Sequence, residues 1–151
     1  MGKRILCVDD DPEIAFILRA WFKGTANEVD YCLNGIDALT LISRQHYDVV
    51  LTDYKMAFMD GMELCRKIRA TRAYRHLPVI LLTAFSDPTP AKFKAEGAAE
   101  VIRKPIRREV FLKRMEKYLL EAWAPPKENA RSAERPAKLE PERVAQKDPA
   151  N

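Results

Sequence analysis

The chain contains 151 residues, a length that suits one domain with a full hydrophobic core. Its hydrophobic fraction of 47% and its charged fraction of 32% are ordinary for a soluble globular protein. The net charge of +4 divides into +3 over residues 1–123 and +1 over residues 124–151, and neither value demands a nucleic-acid partner.

The apolar runs are four or five residues long, far shorter than a membrane span, and the N-terminus lacks a signal-peptide pattern. We therefore expect a cytoplasmic protein with no membrane segment. The three cysteines, Cys7, Cys32 and Cys65, show no C-x-x-C spacing. We interpret them as buried reduced thiols rather than as a zinc or redox site.

Apolar runs and helical patterns alternate five times along the chain, which predicts a repeating βα fold with a mostly parallel sheet. The first predicted strand covers residues 4–8. Asp11 suits the N-cap of the following helix and Pro12 its first position, and the helix extends to Lys23. Its apolar residues recur at helical spacing and are Ile14, Ile17, Leu18, Trp21 and Phe22.

The second predicted strand covers residues 28–33 and shows an alternating pattern, and Asn34-Gly35 opens the second helix. The third strand covers residues 48–52. It is a near-continuous apolar run, as a strand buried on both faces requires.

Asp60 and Glu63 form a capping-box-like pair that starts the third helix. Asp87-Pro88 is predicted to start a short fourth helix, which ends at Gly97, a residue suited to the left-handed conformation. The remaining predicted elements are a strand over residues 79–82, a strand over residues 100–103 and a helix over residues 107–123.

Composition changes after Trp123. Residues 124–151 hold five of the ten prolines, no aromatic residue and only Leu139 and Val144 as large aliphatics. Such a segment cannot bury enough apolar surface to offset its chain entropy. We predict one domain over residues 1–123, followed by a disordered tail or linker over residues 124–151.

Charged residues directly follow three of the predicted strands. They are Asp9, Asp10 and Asp11 after the first strand, Asp53 after the third and Lys104 after the fifth. The carboxyl ends of parallel strands meet at one edge of a sheet, where ligands bind in open α/β folds. Two carboxylates in close contact there repel by roughly 4 kcal/mol at an effective dielectric near 20, so the pattern indicates a bound cation.

With these residues the chain resembles the receiver domain of response regulators in two-component signalling. The resemblance covers about residues 4–121. It rests on V-D-D at 8–10, D-Y-K-M-A-F-M-D-G at 53–61, T-A at 83–84 and K-P at 104–105, in the order of the family. It implies a flavodoxin-like, doubly wound α/β fold with five parallel strands in the order 2-1-3-4-5 and five helices.

The resemblance implies a role for each matching residue. Asp53 corresponds to the phosphoacceptor, whose carboxylate attacks phosphorus and forms an acyl phosphate. Thr83 and Lys104 correspond to the residues that stabilise the phosphoryl group. Ala84 and Pro105 belong to the switch region, and the Lys104-Pro105 peptide is cis in this family.

The implied cofactor is Mg²⁺, which prefers oxygen ligands, keeps several waters and bridges to phosphate. Its implied ligands are the carboxylates of Asp9, Asp10 and Asp53 and the backbone carbonyl of Lys55. Asp11, by contrast, is interpreted as a helix cap.

Two residues depart from the family pattern. Ala57 stands where proline is frequent, which loosens the loop after Asp53 slightly. Val101, in the switch region, stands three residues before Lys104, where many relatives carry Tyr or Phe. Valine offers no ring to turn inward. Output is therefore expected through a backbone shift of the fourth helix and fifth strand, or through partner binding alone.

The implied function is a phosphorylation-driven switch, and not an enzyme. A histidine kinase or a histidine phosphotransfer protein would donate the phosphoryl group, and the new dianion would bias two pre-existing conformations. The surface of the fourth helix, fifth strand and fifth helix would then contact an unidentified downstream protein. We expect a monomer or a phosphorylation-dependent dimer.

Two alternatives fit parts of the pattern. A haloacid-dehalogenase-type phosphatase also uses an aspartyl nucleophile, but Lys55 stands where such an enzyme needs a second acid. A phosphorylation-independent interaction module would keep the fold without the switch, and Val101 favours it. No helix-turn-helix pattern is present, so direct nucleic-acid binding is not expected.

A basic cluster occupies the third helix and the loop after it, and consists of Arg66, Lys67, Arg69, Arg72 and Arg75. We interpret it as a solvated face, with a docking surface for an acidic partner as the alternative. His46 and His76 are interpreted as surface histidines.

Overall fold

The computed structural model describes residues 2–120. The strands are β1 (Arg4–Val8), β2 (Glu28–Cys32), β3 (Val49–Asp53), β4 (Val79–Thr83) and β5 (Glu100–Arg103). The helices are α1 (Pro12–Phe22), α2 (Gly35–Arg44), α3 (Gly61–Ala70), α4 (Pro90–Ala95) and α5 (Arg108–Leu120), with a 3₁₀ turn at Arg72–Tyr74.

Within the described residues the strands form one parallel sheet in the order β2-β1-β3-β4-β5. The predicted flavodoxin-like α/β fold, with this strand order and five α-helices, is confirmed. In an open sheet of this kind, the carboxyl ends of β1, β3, β4 and β5 lie along one edge.

Helices cover both faces of the sheet. On one face, Leu6 and Val50 pack in a cluster that includes buried residues of α2 and α3. On the other face, Ile5 and Leu51 pack with buried residues of α1 and α5. Every residue of β3 and β4 is buried, which explains the near-continuous apolar sequence of these two central strands.

Three helices begin after the N-cap residues that the sequence predicts. In each case the side-chain oxygen accepts a hydrogen bond from a backbone N–H two or three residues later, at 2.8 to 3.0 Å. The caps are Asp11, Asn34 and Asp60. These bonds satisfy N–H groups that have no partner inside the helix.

The predicted start of the fourth helix is wrong. α4 begins at Pro90, and Thr89 is its N-cap, with the Thr89 hydroxyl accepting from the Lys92 N–H. Asp87 accepts instead from the backbone N–H of Ala84 and so belongs to a turn before the helix. The predicted end is confirmed, because Gly97 follows α4 with a φ of +118°.

The other predicted bounds are correct to within one residue wherever they fall on residues 2–120. α1 ends at Phe22 rather than Lys23. Ile17, one of the apolar residues at helical spacing in α1, is 41% exposed. Leu18 and Phe22 form the buried stripe of this helix, and Ile17 lies at its edge.

All three cysteines are buried and unpaired, as expected. Burial raises the pKa of the Cys7 thiol far above its usual value, so this thiol stays protonated.

Within residues 2–120, no helix combines the length and the apolar character needed to cross a membrane. The end of the last helix at Trp123 and the tail over residues 124–151 lie outside the described residues.

The end of the sheet opposite the carboxyl edge carries a polar network. The carboxylate of Asp48, just before β3, accepts from the Arg4 N–H at 2.8 Å and contacts the His46 ring at 2.9 Å. Burial on its own raises the pKa of Asp48, but the hydrogen bonds from His46 and Arg4 outweigh it and lower this pKa overall. His46 is therefore a half-buried structural residue, whereas His76 is exposed as expected.

Candidate functional site

Three carboxylates meet at the carboxyl edge of the sheet. Asp9 and Asp10 directly follow β1, and Asp53 is the last residue of the neighbouring β3. One carboxylate oxygen from each lies within 4.8 Å of the other two. Asp9 and Asp53 are buried, whereas Asp10 is exposed. The sequence prediction that strand ends bring these side chains together is correct.

Lys104 reaches this acidic cluster from the end of β5. Its Nζ donates a hydrogen bond to Asp53 Oδ1 at 2.8 Å and lies 3.9 Å from Asp9 Oδ2. A cis peptide bond joins Lys104 to Pro105, and the Lys104 N–H donates to the Thr83 carbonyl at 2.7 Å. Partial burial lowers the pKa of Lys104, but the hydrogen bond to Asp53 and the nearby carboxylates raise it overall. The ammonium group therefore stays charged.

Asp9 is a buried carboxylate whose surroundings raise its pKa. Burial, and to a smaller extent the Asp53 charge, raise the pKa of Asp9 to about 6, although the Asp11 N–H donates to its carboxylate and opposes this. Asp9 Oδ2 is buried and has no hydrogen-bond partner among the described residues. A cation or a proton would satisfy a buried carboxylate oxygen of this kind.

These residues fit a divalent cation. The cluster offers three carboxylates, one with an orphaned buried oxygen, and hard oxygen donors are the ligands that Mg²⁺ prefers. A cation would also offset the two causes that raise the pKa of Asp9, burial first and the Asp53 charge second. The acidic cluster is therefore consistent with Mg²⁺ binding.

Thr83 ends β4 beside the acidic cluster, since its neighbour Leu82 pairs with Asp53 of β3. The Thr83 hydroxyl is buried, and within the described residues it has no hydrogen-bond partner. Ala84, the next residue, is exposed. A buried hydroxyl without a partner next to Asp53 can donate to a new oxygen atom that arrives on this carboxylate.

Asp87 is the residue near this edge that sequence reasoning assigned to the wrong place. Its side chain is only 2% exposed, and its Oδ1 lies 3.6 Å from the Nζ of Lys55. Its Oδ2 accepts from the Ala84 N–H at 2.7 Å. An aspartate three residues from a potential turn donor is the sequence signal for such a contact, and it competed here with the helix-start signal of Asp87-Pro88.

The loop between β3 and α3 is tightly folded. The Gly61 N–H donates to the Tyr54 carbonyl at 2.8 Å, and a Cβ at Gly61 would collide with the backbone carbonyl of Asp53. Phe58 has a φ of +67° and a side chain that is 95% exposed. The hydrogen bond from the Met59 N–H to the Ala57 carbonyl closes a γ-turn around it.

Val101 lies in β5 with only 3% of its surface exposed and packs in the cluster beneath α2 and α3. A small β-branched side chain in this position has no freedom to swing between an inner and an outer position.

The basic cluster of α3 and the loop after it is partly structural. Arg66 pairs with Glu96 at 2.8 Å, and Arg69 donates to the carbonyls of Gly97 and Leu77.

The fold and its acidic pocket define a phosphoacceptor signalling module rather than an enzyme. The chain belongs to the response regulator receiver domain family, whose sequence model matches residues 5–116. This membership excludes the phosphatase alternative.

Curated relatives agree with this assignment. The chain is 35% identical to the regulatory protein VanRB of Enterococcus faecalis over 130 residues, which cover 85% of this chain and 57% of the relative. It is 36% identical to the response regulator PleD of Caulobacter vibrioides over 107 residues, which cover 70% of this chain and 24% of PleD. The matched part thus spans between a quarter and somewhat over half of these relatives.

Solved structures show the same fold. A response regulator from Chloroflexus aurantiacus is 27% identical with a TM-score of 0.74, covering 80% of this chain and 100% of that one. A histidine kinase receiver domain from Syntrophus aciditrophicus is 32% identical with a TM-score of 0.72, and the match covers 79% of this chain and 91% of that one. The receiver domain of sensor histidine kinase PA1611 from Pseudomonas aeruginosa, which holds a magnesium ion in its active-site cleft, is 27% identical with a TM-score of 0.70, covering 80% and 100%.

Proposed function

We propose that Asp53 is the phosphoacceptor of this receiver domain. The observation that carries the proposal is the contact between Lys104 Nζ and Asp53 Oδ1 at 2.8 Å, inside a cluster of three carboxylates. An ammonium group held on the acceptor carboxylate can pass to the oxygens of an incoming phosphoryl group without a large movement.

The donor is a phosphohistidine on a histidine kinase or a histidine phosphotransfer protein. An oxygen of the Asp53 carboxylate forms a bond to phosphorus, the phosphorus–nitrogen bond of the donor breaks, and the imidazole nitrogen keeps the electron pair. Lys104 then neutralises part of the charge on the phosphoryl oxygens. The orphaned hydroxyl of Thr83 donates a hydrogen bond to one of them.

Mg²⁺ is the cofactor we infer, held by the carboxylates of Asp9, Asp10 and Asp53 and by the backbone carbonyl of Lys55. When bound, it supplies positive charge that neutralises the transferring phosphoryl group. The orphaned oxygen of Asp9 is the feature of this chain that best supports the assignment.

The phosphorylated domain acts as a switch that a partner reads. Ala84, Val101 and Pro105 form the switch region, and the surface of α4, β5 and α5 contacts a downstream protein without direct binding of nucleic acid.

The receiver domain covers residues 1–123, and the tail or linker covers residues 124–151. The molecule is a monomer or a phosphorylation-dependent dimer. Its location is the cytoplasm, where histidine kinases draw on ATP.

The test is labelling by a small phosphodonor, acetyl phosphate, in the presence of Mg²⁺. Asp53→Asn should abolish labelling while the fold survives, because the amide cannot form an acyl phosphate. Asp60→Asn is the matched control, since it lies in the same loop and asparagine also caps helices. Labelling of Asp53→Asn at the wild-type rate would refute the assignment.

A second candidate function, a phosphorylation-independent interaction module, is favoured only by Val101, which offers no ring for the switch. It predicts that labelling of Asp53 leaves backbone amide exchange in β4, β5 and α4 unchanged. The phosphorylation switch predicts altered exchange in these elements.

A further inference from the structure

Thr83 is followed at once by a closed turn over Ala84–Asp87. The Asp87 N–H donates to the Ala84 carbonyl at 3.1 Å, and the Ala84 N–H donates to Asp87 Oδ2 at 2.7 Å. The second bond is charge-assisted and short, and the Asp87 side chain that accepts it is only 2% exposed. These two reciprocal bonds make the turn a stiff unit.

The turn is tied to the loop after β3 and to the end of β5. On one side, Lys55 Nζ lies 3.6 Å from Asp87 Oδ1, a buried oxygen that accepts no hydrogen bond within the described residues. On the other side, the guanidinium of Arg103 lies 4.7 Å above the Phe85 ring, and its Nη1 donates to the Phe85 carbonyl at 3.4 Å. Phe85 stands at the tip of the turn, 80% exposed.

The position of the turn couples it to the phosphorylation site. The buried Thr83 hydroxyl has no partner within the described part of the chain, so a phosphoryl group on Asp53 would draw it in. Ala84 is covalently bound to Thr83, so a backbone shift of Thr83 toward the phosphoryl group also displaces Ala84. A stiff turn carries such a displacement to its tip, whereas a loose turn absorbs it in its own dihedral angles.

We propose that Asp87 is a positioning residue that makes the Ala84–Asp87 turn a lever, which passes the displacement of Thr83 to the contact between Phe85 and Arg103. The proposal rests on the proposed function of Asp53. It provides an output route at the surface of β5 in a chain whose buried Val101 cannot provide one by turning a ring.

The experiment follows the ring at the tip in the full chain. Phe85→Trp places an indole over Arg103, where cation–π contact is at least as favourable as with phenylalanine. Emission is recorded before and after labelling with acetyl phosphate and Mg²⁺, the extent of labelling is measured by mass, and the parent protein provides the background of Trp21 and Trp123. Asp87→Ala and Asp87→Asn are then compared in the Phe85→Trp background.

The lever predicts that labelling shifts the emission of the introduced indole. Asp87→Ala should abolish this shift while labelling is retained, because the Ala84 N–H loses its acceptor. Asp87→Asn should preserve the shift, because the amide oxygen can still accept. Arg103→Gln should give the labelled type of emission before any phosphodonor is added, with no further shift after labelling.

A full shift in labelled Asp87→Ala would overturn the lever, as would the absence of any shift when Phe85→Trp is labelled. Absence of labelling in every variant, including the parent, would contradict the role of Asp53 itself. If Asp87→Ala does not fold, amide exchange in the parent protein decides. The lever requires a strongly protected Ala84 amide, and unprotected exchange at this residue would overturn it.

Discussion

Phe85 lies two residues after Thr83, in the turn that follows β4. Its exposed ring can hinder the approach of water to an acyl phosphate on Asp53. Phe85→Ala should therefore shorten the lifetime of the phosphorylated form by about threefold, which corresponds to about 0.65 kcal/mol of barrier. Decay of the label after removal of the phosphodonor measures this effect.

Phe16→Ala provides the control for this measurement, because Phe16 is a similarly exposed ring on α1. Its lifetime should match that of the wild type. Slower decay in Phe85→Ala than in the wild type would contradict the shielding role.

At the residue scale, the sequence was sufficient to predict that the charged side chains meet at one edge of the sheet. It was not sufficient to predict the contact made by Asp87 nearby. Asp9, Asp53 and Lys104 each end or directly follow a strand, so the fold alone brings them together. Asp87 was misplaced because its partner, the Ala84 N–H, becomes available only when β4 ends at Thr83 and the chain turns. The local sequence pattern offers both a turn and a helix start for Asp87 and does not decide between them.

The start of α4 illustrates the same limit at the scale of an element. Asp87-Pro88 and Thr89-Pro90 both match the pattern of an N-cap followed by proline. The contact of Asp87 with Ala84 removes the first candidate, so Thr89 becomes the cap. Elements without such a competitor, namely the five strands, were predicted to within one residue.

Thr89→Ala should lower the free energy of unfolding by about 1 kcal/mol, because the Lys92 N–H loses its capping acceptor. Denaturant unfolding measures the change. Ser86→Ala is the matched control, since Ser86 is an exposed residue of the preceding turn, and it should change stability little. Equal destabilisation by both substitutions would contradict the placement of the cap.

The polar end of the sheet predicts a pH dependence of stability. Because the pKa of Asp48 is lower in the folded protein than in the unfolded chain, its contribution is full above about pH 4 and is lost as the pH falls further. Asp48→Asn should cost about 1 to 3 kcal/mol at pH 7.

Unfolding of the wild type and of Asp48→Asn, compared from pH 7 to pH 3, checks this expectation. The difference between the two proteins should be constant near neutrality and should shrink below about pH 4. A difference that grows toward low pH would contradict the assigned direction of the pKa shift.

At the scale of the whole molecule, two apolar clusters on opposite faces of one sheet account for the fold. The helical spacing of apolar residues and the apolar runs of the strands were sufficient to predict a sheet covered by helices on both faces.

Removal of residues 124–151 tests the predicted domain boundary. The shortened protein should keep its rate of labelling, and its free energy of unfolding should change by no more than about 0.5 kcal/mol, as for substitutions remote from the core. A large loss of stability would show that the segment contributes to the folded domain.

The central claim, that Asp53 accepts the phosphoryl group with the help of a cation held by Asp9 and Asp10, is tested most directly by locating the label. Borohydride reduces an aspartyl phosphate to homoserine, which peptide mass spectrometry places in the sequence. After incubation with acetyl phosphate, homoserine should be found at position 53 when Mg²⁺ is present and not when a chelator has removed it. Modification at another aspartate, or undiminished modification in chelator, would contradict the account.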